Sequence, residues 1–260
     1  MNNAEASLLR AAACAVLTAT LLAQARGGST TNSATVSFGP FATSNWRSED
    51  FAGTCRREWT DTADVFRFTW NTTAGNQIGS IGVAFGSSYL QNASWEGVRI
   101  ADVRPGCRMS TEASWTPANG GWFFWSIYGW THEAYTYWGS PDARDGFDNE
   151  FYIIFYTQQR PGDFLSQPGC VARGSVEVDG MTFDCFATPR TSQSQWFAVC
   201  RTNAWNREPS VDLKKIFDYW CSQGLSSNQY VMSLSWALEG FGGSAGTLQL
   251  TNTAIPDLTP

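Results

Sequence analysis

Histidine is nearly missing from this chain: among 260 residues His132 stands alone, and the seven cysteines include no C-x-x-C pair. Zinc sites draw on those ligands, so no metal centre and no cofactor are expected. Charge is scarce as well, with 15% charged residues, a formal net charge of −6 and no basic block. Nucleic acids and anionic membrane surfaces recruit clustered Lys and Arg, so neither is an expected partner. Beyond the first 25 residues no stretch reaches the roughly 18 apolar residues of a membrane-spanning helix. Internal repeats and low-complexity tracts are also missing.

What the chain does hold begins with an apolar run, Leu8–Ala23, followed by Ala23-Gln24-Ala25. That is the layout of a secretory leader and its cleavage site, so residues 1–25 are read as a signal peptide and the product as secreted. Loss of Cys14 with the leader leaves Cys55, Cys107, Cys170, Cys185, Cys200 and Cys221. An even count in an exported chain predicts three disulfides, with fifteen connectivities open. Asn71-Thr72-Thr73 and Asn92-Ala93-Ser94 are glycosylation acceptors. Residues 26–33, rich in Gly, Ser, Thr and Asn, are read as a flexible spacer, and residues 34–260 as one domain.

Short runs rich in β-branched and aromatic residues recur through that domain, among them Val65–Trp70, Trp122–Trp130, Glu150–Tyr156, Thr182–Ala187 and Tyr230–Glu239. Turn signals such as Ala118-Asn119-Gly120-Gly121 and Asp179-Gly180 separate them. The pattern predicts an all-β fold of packed antiparallel sheets, a sandwich or a jelly roll. One segment differs. Leu213, Ile216, Phe217 and Trp220 share one helical face, with Ser210 as the expected cap, Asp212 in the first turn, Gly224 past the end and Cys221 a staple.

Two strands carry a carboxylate on an open face. Along the first, Glu150, Tyr152, Ile154 and Tyr156 alternate with Phe151, Ile153 and Phe155. Along the second, Ser233, Ser235, Ala237 and Glu239 alternate with the bulkier Met232, Leu234, Trp236 and Leu238. Paired carboxyl groups facing each other across a sugar are the usual means of cutting a glycosidic bond. The 13 tryptophans fit a neutral, many-hydroxylated ligand such as a polysaccharide, since aromatic faces pack on sugar C–H groups. Oligomerisation is not expected.

Taken in order, the chain resembles the family 11 glycoside hydrolases, the jelly-roll endo-1,4-β-xylanases, over roughly residues 38–252. Trp70 with Gly75-Asn76-Gln77-Ile78-Gly79 is similar to that family's W…GN hairpin, and Tyr128-Gly129-Trp130-Thr131 to its Y-G-W-[ST]. Glu150-Phe151-Tyr152-Ile153-Ile154 is similar to E-Y-Y-[IV]-V, and Glu239-Gly240-Phe241 with Ser244 to E-G-[YF]-x-S-S-G-S. Asp179-Gly180 with Thr188-Pro189-Arg190 resembles the D-G…T-x-R run, and Phe217–Trp220 the end of the family's helix.

The resemblance implies Glu150 as nucleophile and Glu239 as acid/base of a retaining hydrolase. It implies Asn76 beside the acid/base, with a mildly acidic to neutral optimum because an amide there does not repel a carboxylate. Tyr128 and Tyr152 would bond at the cleaved sugar and the nucleophile, Trp46 would stack on substrate, and Arg190 and Gln195 would border the cleft.

Three departures qualify it. Only Thr191-Ser192-Gln193-Ser194 separate Arg190 from Gln195, where the family has a long thumb loop. The stretch from Thr131 to Asn149 is long, and it admits another alignment with Glu133 as nucleophile. Phe155 stands at a family acidic position, and six cysteines are foreign to the family. A related hydrolase of β-glucan or another β-linked polymer, and a lectin-like binder without turnover, therefore stay open as alternatives.

Overall fold

The computed structural model describes residues 27–31, 36–38, 41–47, 53–60, 62, 64–72, 77–85, 97–117, 122–132, 149–158, 170–189, 195–200, 208–241, 243–254 and 256–258. The leader, Asn76, Asn92, Glu133 and Arg190 lie outside these residues. For Trp46, Gln195 and Cys200 the backbone is described.

Two sheets face each other. The smaller runs β1 (Gly28–Thr30), β4 (Gly53–Trp59), β5 (Val65–Thr72), β17 (Ala245–Thr251), β9 (Glu112–Pro117). The larger runs β12 (Val171–Val178), β13 (Met181–Pro189), β14 (Gln195–Cys200), β11 (Asn149–Gln158), β10 (Trp122–His132), β16 (Tyr230–Phe241), β6 (Gln77–Phe85), β3 (Phe41–Arg47), β2 (Val36–Phe38). A short β7 (Val98–Arg99) adds to β16, and β8 (Arg108–Ser110) pairs with β15 (Ser210–Asp212). This is the expected jelly roll with a single described α-helix, α1 (Leu213–Ser222).

Alternation explains the layering. In β5, Phe66, Phe68, Trp70 and Thr72 are buried while Arg67, Thr69 and Asn71 are exposed. Asn71 thus points away from the inter-sheet core. The inward face of β5 and β17 meets Trp125, Ile127, Ile153, Phe155, Leu234, Trp236 and Leu238 of the large sheet in one core. Trp125 stacks on Trp236 at 5.4 Å, and Phe155 tilts against both at 5.6 and 5.7 Å. Each such side chain, taken fully out of water, stabilises the fold by roughly 2–3 kcal/mol. Helix α1 buries Leu213, Ile216, Phe217 and Trp220, and its Phe217 and Trp220 rings lie 5.3 and 5.4 Å from Phe151 under the first glutamate strand.

Four expectations are corrected here. Gly28–Thr30, read as spacer, pairs antiparallel with Arg57–Trp59. Gly28 suits that edge because a Cβ there would meet the Trp59 ring at 2.8 Å. The helix cap is Asp212, whose carboxylate accepts from the Lys214 and Lys215 amides; Ser210 is drawn into β15 opposite Ser110 instead. One contact in the large sheet is parallel, β11 with β14, because the chain crosses from β11 to the far edge and returns through β12 and β13.

The fourth correction concerns cysteine. Cys107, Cys170, Cys185 and Cys221 are thiols, with no disulfide between them, so three bridges do not form among the described residues. They sit on separate elements, and burial pushes Cys107 and Cys185 up to about 11, which keeps both protonated and unreactive. A chain of this length buries enough apolar surface to fold without cross-links.

The hairpin Asp179-Gly180 forms as expected, with φ of 55° and 75°. Asp179 also reaches Arg108 at 2.8 Å, Lys215 at 3.1 Å and the Asp212 amide at 3.0 Å, tying this tip to the helix start.

Gly129 in β10 has no room for a side chain: a Cβ would lie 2.3 Å from the Ser233 carbonyl oxygen and 2.5 Å from the Phe151 ring. Gly129→Ala is expected to cost about 3 kcal/mol or more, read by denaturant unfolding, because backbone on one side and core on the other must both shift.

Candidate active site

The site is built on three neighbouring strands. In β10·β11, Trp130 faces Glu150, Tyr128 faces Tyr152 and Ser126 faces Ile154. In β10·β16, Trp130 faces Ser233, Tyr128 faces Ser235 and Phe124 faces Glu239. Both glutamates therefore project from the same side of the sheet, away from the inter-sheet core. Tyr128, Tyr152, Ile154 and Ala237 form a second apolar cluster on that side, joined by Trp130 and Phe186.

Register shifts bend these strands beside both carboxylates. One lies between Trp130 and Thr131 in β10·β16, at the residue opposite Glu150, and another between Leu238 and Gly240 in β16·β6. Bulges of this kind re-aim side chains and break pairing next to working sites.

Each glutamate is only 7% exposed. The Tyr128 hydroxyl donates to Glu150 Oε1 at 3.1 Å. The Tyr128 and Tyr152 rings lie 4.9 Å apart, and the Tyr152 hydroxyl hydrogen-bonds Glu239. Burial, and then the charge on Glu150, raise Glu239 to about 8, with the Tyr152 hydrogen bond pulling the other way. At neutral pH Glu239 accordingly holds its proton beside a hydrogen-bonded carboxylate. Such a pair can donate a proton on one side of a bond and attack on the other.

A buried polar cluster behind the first glutamate has no signal in the sequence. Gln229 Oε1 accepts from Thr131 Oγ1 at 2.6 Å and from Asn149 Nδ2 at 2.8 Å, joining β10, β11 and the approach to β16. Gln229 lies 98 positions from Thr131 and 80 from Asn149, so no local pattern could reveal the cluster. Ser235 Oγ likewise donates to the Tyr128 carbonyl oxygen at 3.2 Å.

Of the eight expected site residues, Glu150, Glu239, Tyr128 and Tyr152 come together here. Gln195 opens β14, with its Cα opposite Asn149 in the parallel register, and so lies at the Glu150 end of β11. Trp46 lies on β3 opposite Gly79, two strands from β10's partner β16. Asn76 and Arg190 lie outside the described residues.

The raised pKa of Glu239 makes stability depend on pH. A buried acid whose folded value lies above its ordinary 4.5 favours folding while protonated in both states. Stability is thus fully present below about pH 4.5 and is lost progressively towards pH 8, on the order of a few kcal/mol in all. Glu239→Gln is expected to flatten that slope in urea titrations run across this window.

The architecture is that of the jelly-roll glycoside hydrolases. Among solved structures, endoglucanase 3 of Trichoderma harzianum, from family 12, superposes with a TM-score of 0.71 at 18% identity, covering 90% of this chain and 99% of its own. The native family 12 xyloglucanase from Bacillus licheniformis gives 0.69 at 15%, covering 87% and 98%. At these identities the comparison shows the fold alone. Both structures are from family 12, and the family 11 membership implied by the motifs is not confirmed. In sequence, endo-1,4-beta-xylanase 4 of Pyricularia oryzae is 26% identical over 204 residues, 73% of this chain and 79% of that protein. No protein-family model matches the chain.

Proposed function

We propose that this protein is a secreted, retaining endo-β-1,4-glycanase whose first substrate is xylan. The observation that carries the reading is the linked pair itself: Glu150 held by Tyr128, and a buried, protonated Glu239 held by Tyr152. The likeness to a protein named endo-1,4-beta-xylanase supports xylan.

In the first step Glu150 attacks the anomeric carbon while Glu239 gives its proton to the departing glycosidic oxygen. Tyr128 keeps Glu150 aimed during the approach. Ester formation removes the charge on Glu150, which had been raising Glu239, so Glu239 becomes a better acid and leaves itself ionised. As a base it then takes a proton from water, whose oxygen attacks the anomeric carbon and releases Glu150.

A second substrate reading rests on the short connection between β13 and β14. Pro189 and Gln195 face each other across that pair, so residues 190–194 alone join the strands. A site without a long loop at this point suits bulkier or branched β-1,4-glucans, and the two family 12 proteins of like fold are a xyloglucanase and an endoglucanase.

Reducing-sugar release from soluble xylan, mixed-linkage β-glucan and carboxymethylcellulose separates the readings. Xylan is expected to be cut fastest. Preference for β-glucan would install the second reading, and silence on all three with glycan binding retained would leave a binder in place of an enzyme.

A further inference from the structure

β16 leaves the large sheet at Phe241 and β17 enters the small one at Ala245, so the chain changes sheets within three residues of the strand that carries Glu239. That corner is tied down from the small sheet. The Thr72 amide donates to the Ser244 carbonyl oxygen at 2.8 Å, and the Thr72 hydroxyl donates to the same oxygen at 3.0 Å. The Trp70 indole Nε1 donates to Ser244 Oγ at 3.2 Å. Trp70, Thr72 and Ser244 are each no more than 3% exposed.

Glu239 needs such a tie. On one side it faces Phe124 of β10. On the other, Leu238 faces Ile81 and Gly240 faces Ile78, so Glu239 lies at a bulge where two β6 positions, 79 and 80, stand against one residue of β16. The next residue, Gly240, lies directly on the tie: a Cβ there would meet Ser244 Oγ at 2.7 Å and Trp70 Nε1 at 3.3 Å. Across the indole, a Cβ on Gly246 would meet Trp70 Cη2 at 2.9 Å. The indole is thus enclosed between two glycines of the corner, with Ser244 Oγ as its hydrogen-bond acceptor.

We propose that Ser244, seated against Gly240 and hydrogen-bonded to Trp70, is a positioning residue that sets where the Glu239 carboxyl stands. The inference rests on Glu239 acting as acid/base and extends it to residues that touch no substrate. Displacing an acid by about 1 Å costs on the order of 10²-fold in rate, so the corner acts on proton donation specifically.

The test uses the full chain and three variants: Gly240→Ala, Ser244→Ala and the two combined. Two readouts are compared, kcat/KM for a xylo-oligosaccharide and kcat/KM for a dinitrophenyl glycoside, whose leaving group departs without a proton. Gly240→Ala is expected to lower the first about 10²-fold and the second only a few-fold. Adding Ser244→Ala removes the atom at 2.7 Å and is expected to restore at least about tenfold of the loss. Equal losses on both substrates, or no rescue in the double variant, would overturn the proposal.

Should Gly240→Ala fail to fold, Ser244→Ala alone decides, with an expected drop of about five-fold or more on the oligosaccharide and none on the dinitrophenyl glycoside. The Glu239 carboxyl is also titrated by carbon-13 NMR in each folded variant. If the wild type hydrolyses nothing, the acid/base reading falls. The titration still judges the corner, since an unmoved Glu239 midpoint in the variants would show that Ser244 does not place it.

Discussion

Glu150→Gln is expected to lower hydrolysis of the polymer by on the order of 10⁴-fold or more, with the fold intact. The substitution preserves shape, and the amide oxygen can still accept from Tyr128, whose hydroxyl lies 3.1 Å from the present carboxylate. What disappears is the nucleophile. A second effect follows from the same change, because the Glu150 charge is one of the causes that raise Glu239. Without it Glu239 is expected to titrate lower, though still above 4.5 since burial is the larger cause. Steady-state rates and a carbon-13 titration of Glu239 read the two consequences separately.

Glu239→Gln is expected to cost about 10²–10⁴-fold on polymer, where the departing sugar oxygen needs a proton. On a dinitrophenyl glycoside kcat/KM should change little, because that leaving group is stable as an anion. The pH profile should alter too. In the wild type, activity on polymer is expected to fall on the alkaline side as Glu239 loses its proton, near 8 in the free protein. In the variant that limb should vanish along with most of the activity. A loss of equal size on both substrates would assign Glu239 a structural part instead.

Much of this was legible in the sequence wherever strands carry strong alternation. Glu150, Tyr152 and Ile154 against Phe151, Ile153 and Phe155 sort onto two faces, and the structure keeps Tyr152 and Ile154 in one cluster and Phe151, Ile153 and Phe155 in another. The same holds for the helix, whose four spaced apolar residues are the four it buries. Strands escaped notice where alternation is hidden. β4 reads Gly-Thr-Cys-Arg-Arg-Glu-Trp, yet Cys55 and Arg57 are both fully buried, so a charged residue occupies a core position. β1 is three small residues whose only reason to be extended is the free edge of β4.

The site was legible in its residues and not in its supports. Two glutamates and two tyrosines stand out by motif, whereas Gln229, Asn149 and Thr131 meet only through the tertiary fold. The helix cap was misplaced for a related reason. Ser210 and Asp212 are both good caps locally, and pairing of Ser210 with Ser110 in β8 decides between them. Family assignment shows the same limit: the motifs resemble family 11, while the two solved structures of like fold described above are from family 12.

The most direct measurement is mass spectrometry of the protein after brief exposure to a 2-deoxy-2-fluoro glycoside, whose fluorine slows release of the glycosyl-enzyme. The expected result is one added sugar, located by peptide mapping on Glu150 and absent from Glu150→Gln. A label on the peptide that contains Glu133, or turnover that yields the inverted anomer with no covalent adduct, would contradict a retaining mechanism centred on Glu150.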